Sequence, residues 1–429
     1  LLTFQKIEEE KRVMQTATTH HHDKLLASRP NLAAMLVLAA LLVGLLPLLS
    51  ACQPGSVNTM NTPSNLPNIS PLYLVTAGSD GLTDKILSAL NPGNGQLIWQ
   101  HKLDDTLDGY GLSAEGKLYF PAEDGNVYAF LGSNGQPLWH SSMSHGPRGF
   151  TSGWLLAYQN LVIDSITNRT NDKGDLYALD AQTGEVVWHT SISCAASSSN
   201  DCAAGDRITL LANGIVYGLA DDGFSAWDAA NGHFLWRNPN YQLNGQPQSV
   251  VVSHGKIYIT NFYPEVDVLD ATSGRFLHSL RPPEPNDPGA VVYDITANEN
   301  IVFVLGGRTV SAYRSSDDSL LWKQTFIYHS GGTLYADSSG VYVNYYDISL
   351  GKAEAGGSSG NDLYALRTQD GHQIWNHQIP IGGSNLYPIE FNGIICFGGL
   401  GSVYGLYLTD GKKLWQFSKG SYVDGLFAG

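Results

Sequence analysis

Apolar and polar residues alternate in short runs through most of the chain, and one hairpin signature interrupts that alternation eight times. Its clearest copy is Tyr177-Ala-Leu-Asp-Ala-Gln-Thr-Gly-Glu-Val-Val-Trp188. The closing aromatic is Trp99, Trp139, Trp188, Trp236, Trp322, Trp375 or Trp415, with His278 in the remaining copy. The residue before it is always aliphatic: Ile98, Leu138, Val187, Leu235, Leu277, Leu321, Ile374 and Leu414. Four places before it stands a glycine (Gly95, Gly135, Gly184, Gly232, Gly274, Gly371, Gly411), a series broken by Asp318. Five places before it is a small polar turn former: Asn94, Asn134, Thr183, Asn231, Ser273, Asp317, Asp370 or Asp410. Nine places before it comes a bulky apolar residue, and ten before it Ala in six of the eight copies.

Each column has a mechanical reason. Pairs such as Asn-Gly, Asp-Gly and Thr-Gly accept positive φ and predict two-residue β-hairpins. A small residue beside a large one is a period-two pattern, so the two strand faces meet different neighbours. The small one permits close approach and the bulky one fills a core. Tryptophan brings a large apolar area and one N–H in need of an acceptor, which suits a wedge between packed sheets. Such a hairpin cannot bury both faces alone, so the repeat implies an array. Upstream of the hairpins lie further short strands, such as Lys117-Leu-Tyr-Phe120 and Lys256-Ile-Tyr-Ile259. About four strands per repeat of forty-odd residues describe a propeller blade. The prediction is all-β: one eight-bladed β-propeller over residues 71–429. After Trp415 there is room for one more strand, around Tyr422-Val423, which is predicted to complete the first blade and close the ring.

Residues 1–51 read as a leader. An apolar run from Leu32 to Leu49 follows Lys24 and Arg29 and ends in Leu49-Ser50-Ala51-Cys52. Positive flank, apolar stretch and small residues before a break form a secretory signal. An uncleaved membrane helix is the alternative, because the run is nearly long enough to span a bilayer. Leu-Ser-Ala-Cys resembles the lipobox of bacterial lipoproteins, which implies cleavage before Cys52 and a lipid on its thiol. That lipid would anchor the protein to the outer face of the cytoplasmic membrane, or to the outer membrane where the cell has one. Residues 52–70 are polar and proline-containing, the composition of a flexible tether.

Net charge is −15 and only 15% of residues are charged. An acidic body of this kind is a poor partner for nucleic-acid phosphates. Cys194 and Cys202 enclose a small polar loop, and an exported location would let them form a structural disulfide. Cys396, in an apolar strand, reads as a buried thiol. The glycine-rich stretch from Tyr345 to Asn361 is a long loop inside a blade, either a recognition element or a tolerated insertion.

Ala-x-Asp-x-x-Thr-Gly-x-x-x-Trp, nearly literal from Ala178 to Trp188 and similar from Ala226 to Trp236 and from Ala365 to Trp375, resembles the tryptophan-docking motif of quinoprotein (PQQ-repeat) propellers. The resemblance implies one of two kinds of protein. Dehydrogenases of this family bind pyrroloquinoline quinone and calcium, and many carry an adjacent Cys-Cys pair, which this chain lacks. Non-enzymatic members include the BamB-type lipoproteins, which act as protein-binding scaffolds. With no catalytic, cofactor-binding or metal residue to carry over, the expectation is the scaffold, without cofactor. A quinone-dependent oxidoreductase and an extracytoplasmic small-ligand sensor are the alternatives.

Overall fold

The computed structural model describes residues 70–77, 83–108, 110–141, 143, 149–151, 155–168, 173–192, 208–220, 223–239, 249–260, 264–282, 291–326, 332–337, 339–345, 361–379, 388–399, 401–418 and 422–429. The chain divides into two units, Leu1–Leu66 and Pro67–Gly429, and every described residue belongs to the second. Among the described residues all regular structure is strand, and the strands form eight antiparallel sheets.

Each sheet is one blade of an eight-bladed β-propeller. Blades 2 to 8 span residues 112–140, 149–192, 208–238, 250–280, 292–325, 332–379 and 389–418. Blade 5 shows the plan: Val250–Ser253, Lys256–Thr260, Val266–Asp270 and Phe276–Leu280 pair in chain order from axis to rim. Blade 3 departs from it: Gly149–Thr151 and Leu156–Tyr158 both pair with Leu161–Asn168, at opposite ends.

Blade 1 is built from both ends of the unit. Leu97–Lys102, Ile86–Leu90 and Leu72–Ala77 are its outer three strands, and Tyr422–Ala428 is the innermost. Tyr422–Ala428 runs antiparallel to Leu72–Ala77, with Leu72 opposite Ala428 and Ala77 opposite Tyr422. The closure expected from the sequence is therefore present.

The core is divided among the joints between blades. One apolar cluster lies at each: Leu118 and Phe120 meet Val75 and Leu87 between blades 1 and 2, for example, and Val403 and Cys396 meet Leu72 and Leu74 between blades 8 and 1. Strand faces that alternate between two neighbours explain why nearly every residue of a middle strand is apolar. Leu72–Ala77 is buried along its whole length.

The signature turns differ from the two-residue hairpins expected. Asp180 N–H donates to Glu185 O and Gly184 N–H to Asp180 O, so four residues make the loop, and only the glycine has positive φ. The turn former has its own task. Asn94, Asn134, Thr183, Asn231, Asp317, Asp370 and Asp410 each accept the N–H two residues on with a side-chain oxygen, at 2.9 to 3.3 Å. Two successive positive-φ residues occur instead at the inner turns, as at Glu115-Gly116, Asn213-Gly214 and His254-Gly255.

The blade joints as candidate functional site

Every third-to-outer strand pair carries a β-bulge at the same column. Ala178 faces Trp188 while Leu179 faces Val186, so Val187 is the extra residue, and the other seven blades repeat the shift. Bulges re-aim side chains. Here the bulge turns the indole over the small residue across the ladder, and the next blade's turn lies on its other side. Trp99 lies on Gly135, Trp139 on Gly184, Trp188 on Gly232, Trp236 on Gly274, Trp322 on Gly371, Trp375 on Gly411 and Trp415 on Gly95. A Cβ at any of these glycines would stand 2.3 to 2.6 Å from a ring atom, and each has φ of +67° to +74°. Only glycine meets both demands. The columns four places apart in the signature thus meet between adjacent blades.

The indole N–H reaches the carbonyl three residues before that glycine. Trp99 donates to Gly132 O at 3.1 Å, Trp188 to Ala229 O and Trp236 to Ala271 O at 3.2 Å, and Trp322 to Thr368 O at 2.8 Å. Trp375 donates to Leu408 O and Trp415 to Pro92 O, both at 2.7 Å. Among the described residues Trp139 has no acceptor, while Ala181 O takes the Tyr119 hydroxyl at 3.2 Å.

His278 and Asp318, the two breaks in the repeat, are one contact. His278 Nε2 lies 3.0 Å from Asp318 Oδ2 across the joint between blades 5 and 6. The residue facing the imidazole is Val268, where six other copies have Ala. A smaller ring leaves space for the valine on one side and for a carboxylate on the other. Asp318 sits at φ +59° with a side chain only 6% exposed, and it is fully engaged. Lys256 Nζ lies 2.6 Å from Oδ2, and the Tyr258 hydroxyl donates to Oδ1 at 2.7 Å. Burial first, and then Asp318, push the Tyr258 hydroxyl far above its ordinary value.

A second carboxylate pins the inner strands. Asp294, in blade 6, accepts the Ser249 hydroxyl from blade 5, the Leu334 N–H from blade 7 at 2.7 Å and the Ile295 N–H at 2.8 Å. Burial raises its pKa to about 6, against the pull of these three hydrogen bonds. Of the three partners only Ser249 can turn to accept, so an added proton lies between those two side chains. The folded value exceeds the unfolded one, so the folded state binds more protons between about pH 4 and 6, and stability rises as pH falls through that window. The wild type is expected to gain about 2 kcal/mol between pH 7 and 4.5 from this group. Asp294→Asn should flatten that part of the melting-temperature profile; an unchanged slope in the variant would assign it elsewhere.

The rim is apolar. Ile98, Leu138, Val187, Leu235, Leu321 and Ile374, all extra residues of the bulges, are exposed, as are their neighbours Leu97, Val186, Phe234 and Leu320, and Phe276 beside the half-buried Leu277. Sequence reading had found this aliphatic column but neither its exposure nor the bulge behind it.

Cys52, Cys194 and Cys202 lie outside the described residues, as does most of the loop from Tyr345 to Asn361. Cys396 is a buried thiol whose pKa burial pushes up to about 12. Among the described residues no three His, Cys, Asp or Glu side chains converge.

Comparison with known proteins matches this geometry. The family model described as outer membrane protein assembly factor BamB matches residues 72–280 and 265–421. No curated protein matches in sequence. Among solved structures, the computationally designed Ika8 protein is 16% identical, covers 76% of this chain and 92% of its own, and superposes with a TM-score of 0.56. BamB from Moraxella catarrhalis is 15% identical, covers 72% and 87%, and has a TM-score of 0.50. The quinohemoprotein alcohol dehydrogenase ADHIIG from Pseudomonas putida HK5 is 13% identical, covers 82% and 65%, and has a TM-score of 0.38. At these identities the structural likeness shows the fold. With the bulged, glycine-seated hairpin in every blade but one, and a family model matching most of the chain, this protein belongs to the PQQ-repeat β-propeller family typified by outer membrane protein assembly factor BamB.

Proposed function

We propose that the protein is an exported, lipid-anchored scaffold that binds a protein partner through the rim of its propeller. The observation that carries this reading is the bulge column. An extra residue on an exposed outer strand has no packing reason to be apolar, yet it is aliphatic in all eight copies and exposed in six. Exposed apolar surface of this extent marks interaction sites on soluble domains. The family's description, outer membrane protein assembly, supports a membrane-protein partner. The Leu49-Ser-Ala-Cys52 ending supports a lipid on Cys52, with residues 53–70 as the spacer.

The test is capture from host membranes by the full-length protein. Val187→Lys with Leu235→Lys is expected to reduce the captured complex about tenfold, as losing apolar interface anchors does. Cys52→Ser is expected to release the protein from the membrane fraction. Undiminished capture by the rim variant would remove the rim from the reading. A quinone absorbance with dye reduction, after adding pyrroloquinoline quinone and calcium, would replace the scaffold with an oxidoreductase.

A further inference from the structure

Seven joints of the ring close on an indole, and the joint between blades 5 and 6 does not. Polar contacts cross it from axis to rim. Ser249 meets Asp294, and the Ser253 hydroxyl donates to Asn298 O at 3.2 Å. The Tyr258 hydroxyl, which donates to Asp318, also lies 3.3 Å from Ser315 O, the carbonyl that an indole would take in another joint. Lys256 also reaches Ser316 O, at 3.3 Å, and at the rim His278 meets Asp318. Apolar packing lies mostly on the inner and middle strands, among Tyr258, Val266, Val268, Val292, Val304 and Tyr313, and reaches the outer strand only at Leu277 and Leu280.

We propose that this joint is the seam at which the closed ring opens, parting from the rim inward about a fastening at Asp294. Two physical facts support it. A desolvated cluster of charges stabilises little beyond what its desolvation costs, whereas an indole in the same slot brings its whole apolar area. His278 is the most exposed member at 44%, so water reaches the outer end of the cluster first. At the inner end the Asp294 carboxylate ties blades 5, 6 and 7 through Ser249, Ile295 and Leu334. A hinge inside and a polar clasp outside make a gap whose position is fixed by three coupled departures: Val268, His278 and Asp318.

Hydrogen exchange on the intact chain tests this without any variant. Amides of residues 276–280 and 315–319 are expected to exchange at least about tenfold faster than their counterparts at 234–238 and 271–275, or at 320–325 and 368–372. Equal protection in all three joints overturns the proposal. The combined change Val268→Ala, His278→Trp and Asp318→Gly rebuilds the common joint and is expected to slow those amides to the level of the neighbouring joints. His278→Trp alone drives an indole against a buried carboxylate and should quicken exchange. If that single change slows exchange as much as the triple one, the three departures are not coupled and the clasp is not the cause.

Discussion

Removal of residues 419–429 is expected to lower the melting temperature by about 10 °C or more, or to abolish cooperative unfolding, because the loss amounts to several kcal/mol. The strand Tyr422–Ala428 is the innermost of blade 1, and its loss strips the ladder from Leu72–Ala77, a strand buried from end to end. Bared N–H and C=O groups on such a strand would face the axis without partners. Two joints are damaged together, since Val423 and Leu426 belong to the cluster between blades 8 and 1, while Phe427 packs with Phe120 of blade 2. The effect is also topological. Closure by the two chain ends converts an open arc of blades into a ring, and an arc can lose its end blades one at a time. A peptide of residues 419–429 added to the truncated protein should restore part of the transition. A truncated protein that melts as the intact one does would mean the ring is held by its joints alone.

Much of this fold is legible in the sequence because the same hairpin is written eight times, and a repeat cannot be buried without neighbours. The turn column, the glycine column and the final strand around Tyr422 could each be placed. What the sequence hides is which columns meet. Gly184 and Trp188 stand in one signature, yet the glycine lies against Trp139 and the tryptophan against Gly232, each a whole repeat away. For the same reason His278 and Asp318 read as two unrelated imperfections forty residues apart, although they form a single contact. Had the two columns been aligned with an offset of one blade, the substitutions would have fallen in register, and Val268 with them. The bulge was hidden differently: two apolar residues before the tryptophan look like an ordinary buried strand, and only the pairing shows that one of them is extra. Asp294 carries no signal at all, since a lone aspartate in an apolar strand is given meaning only by Ser249 and Leu334 from other blades.

Trp236→Ala and Gly274→Ala test that meeting of columns directly. Trp236 is buried against Tyr217 and Phe224, with ring centroids 6.1 and 5.9 Å away, and donates to Ala271 O. Its truncation is expected to cost about 3–5 kcal/mol, the range for emptying a packed aromatic site. Gly274→Ala places a Cβ 2.3 Å from the same indole at φ +67°, so overpacking of about 1–3 kcal/mol adds to left-handed strain of about 1 kcal/mol. Gly255→Ala isolates the strain, because Gly255 has φ +73° and nothing within 4 Å of its added Cβ. In the double variant the space vacated by the indole accepts the new methyl, and only the strain remains. The two changes together should therefore cost about 2 kcal/mol less than their sum, a coupling of the size found between touching residues. Strict additivity would mean that the ring and the turn do not bear on each other. A second cycle of Trp236→Ala with Gly232→Ala, the glycine of its own signature, should show no such coupling, since Gly232 lies on Trp188. The pair of cycles separates docking between blades from packing within a hairpin, and it can be read from urea unfolding or from local hydrogen exchange if the ring does not melt as one unit.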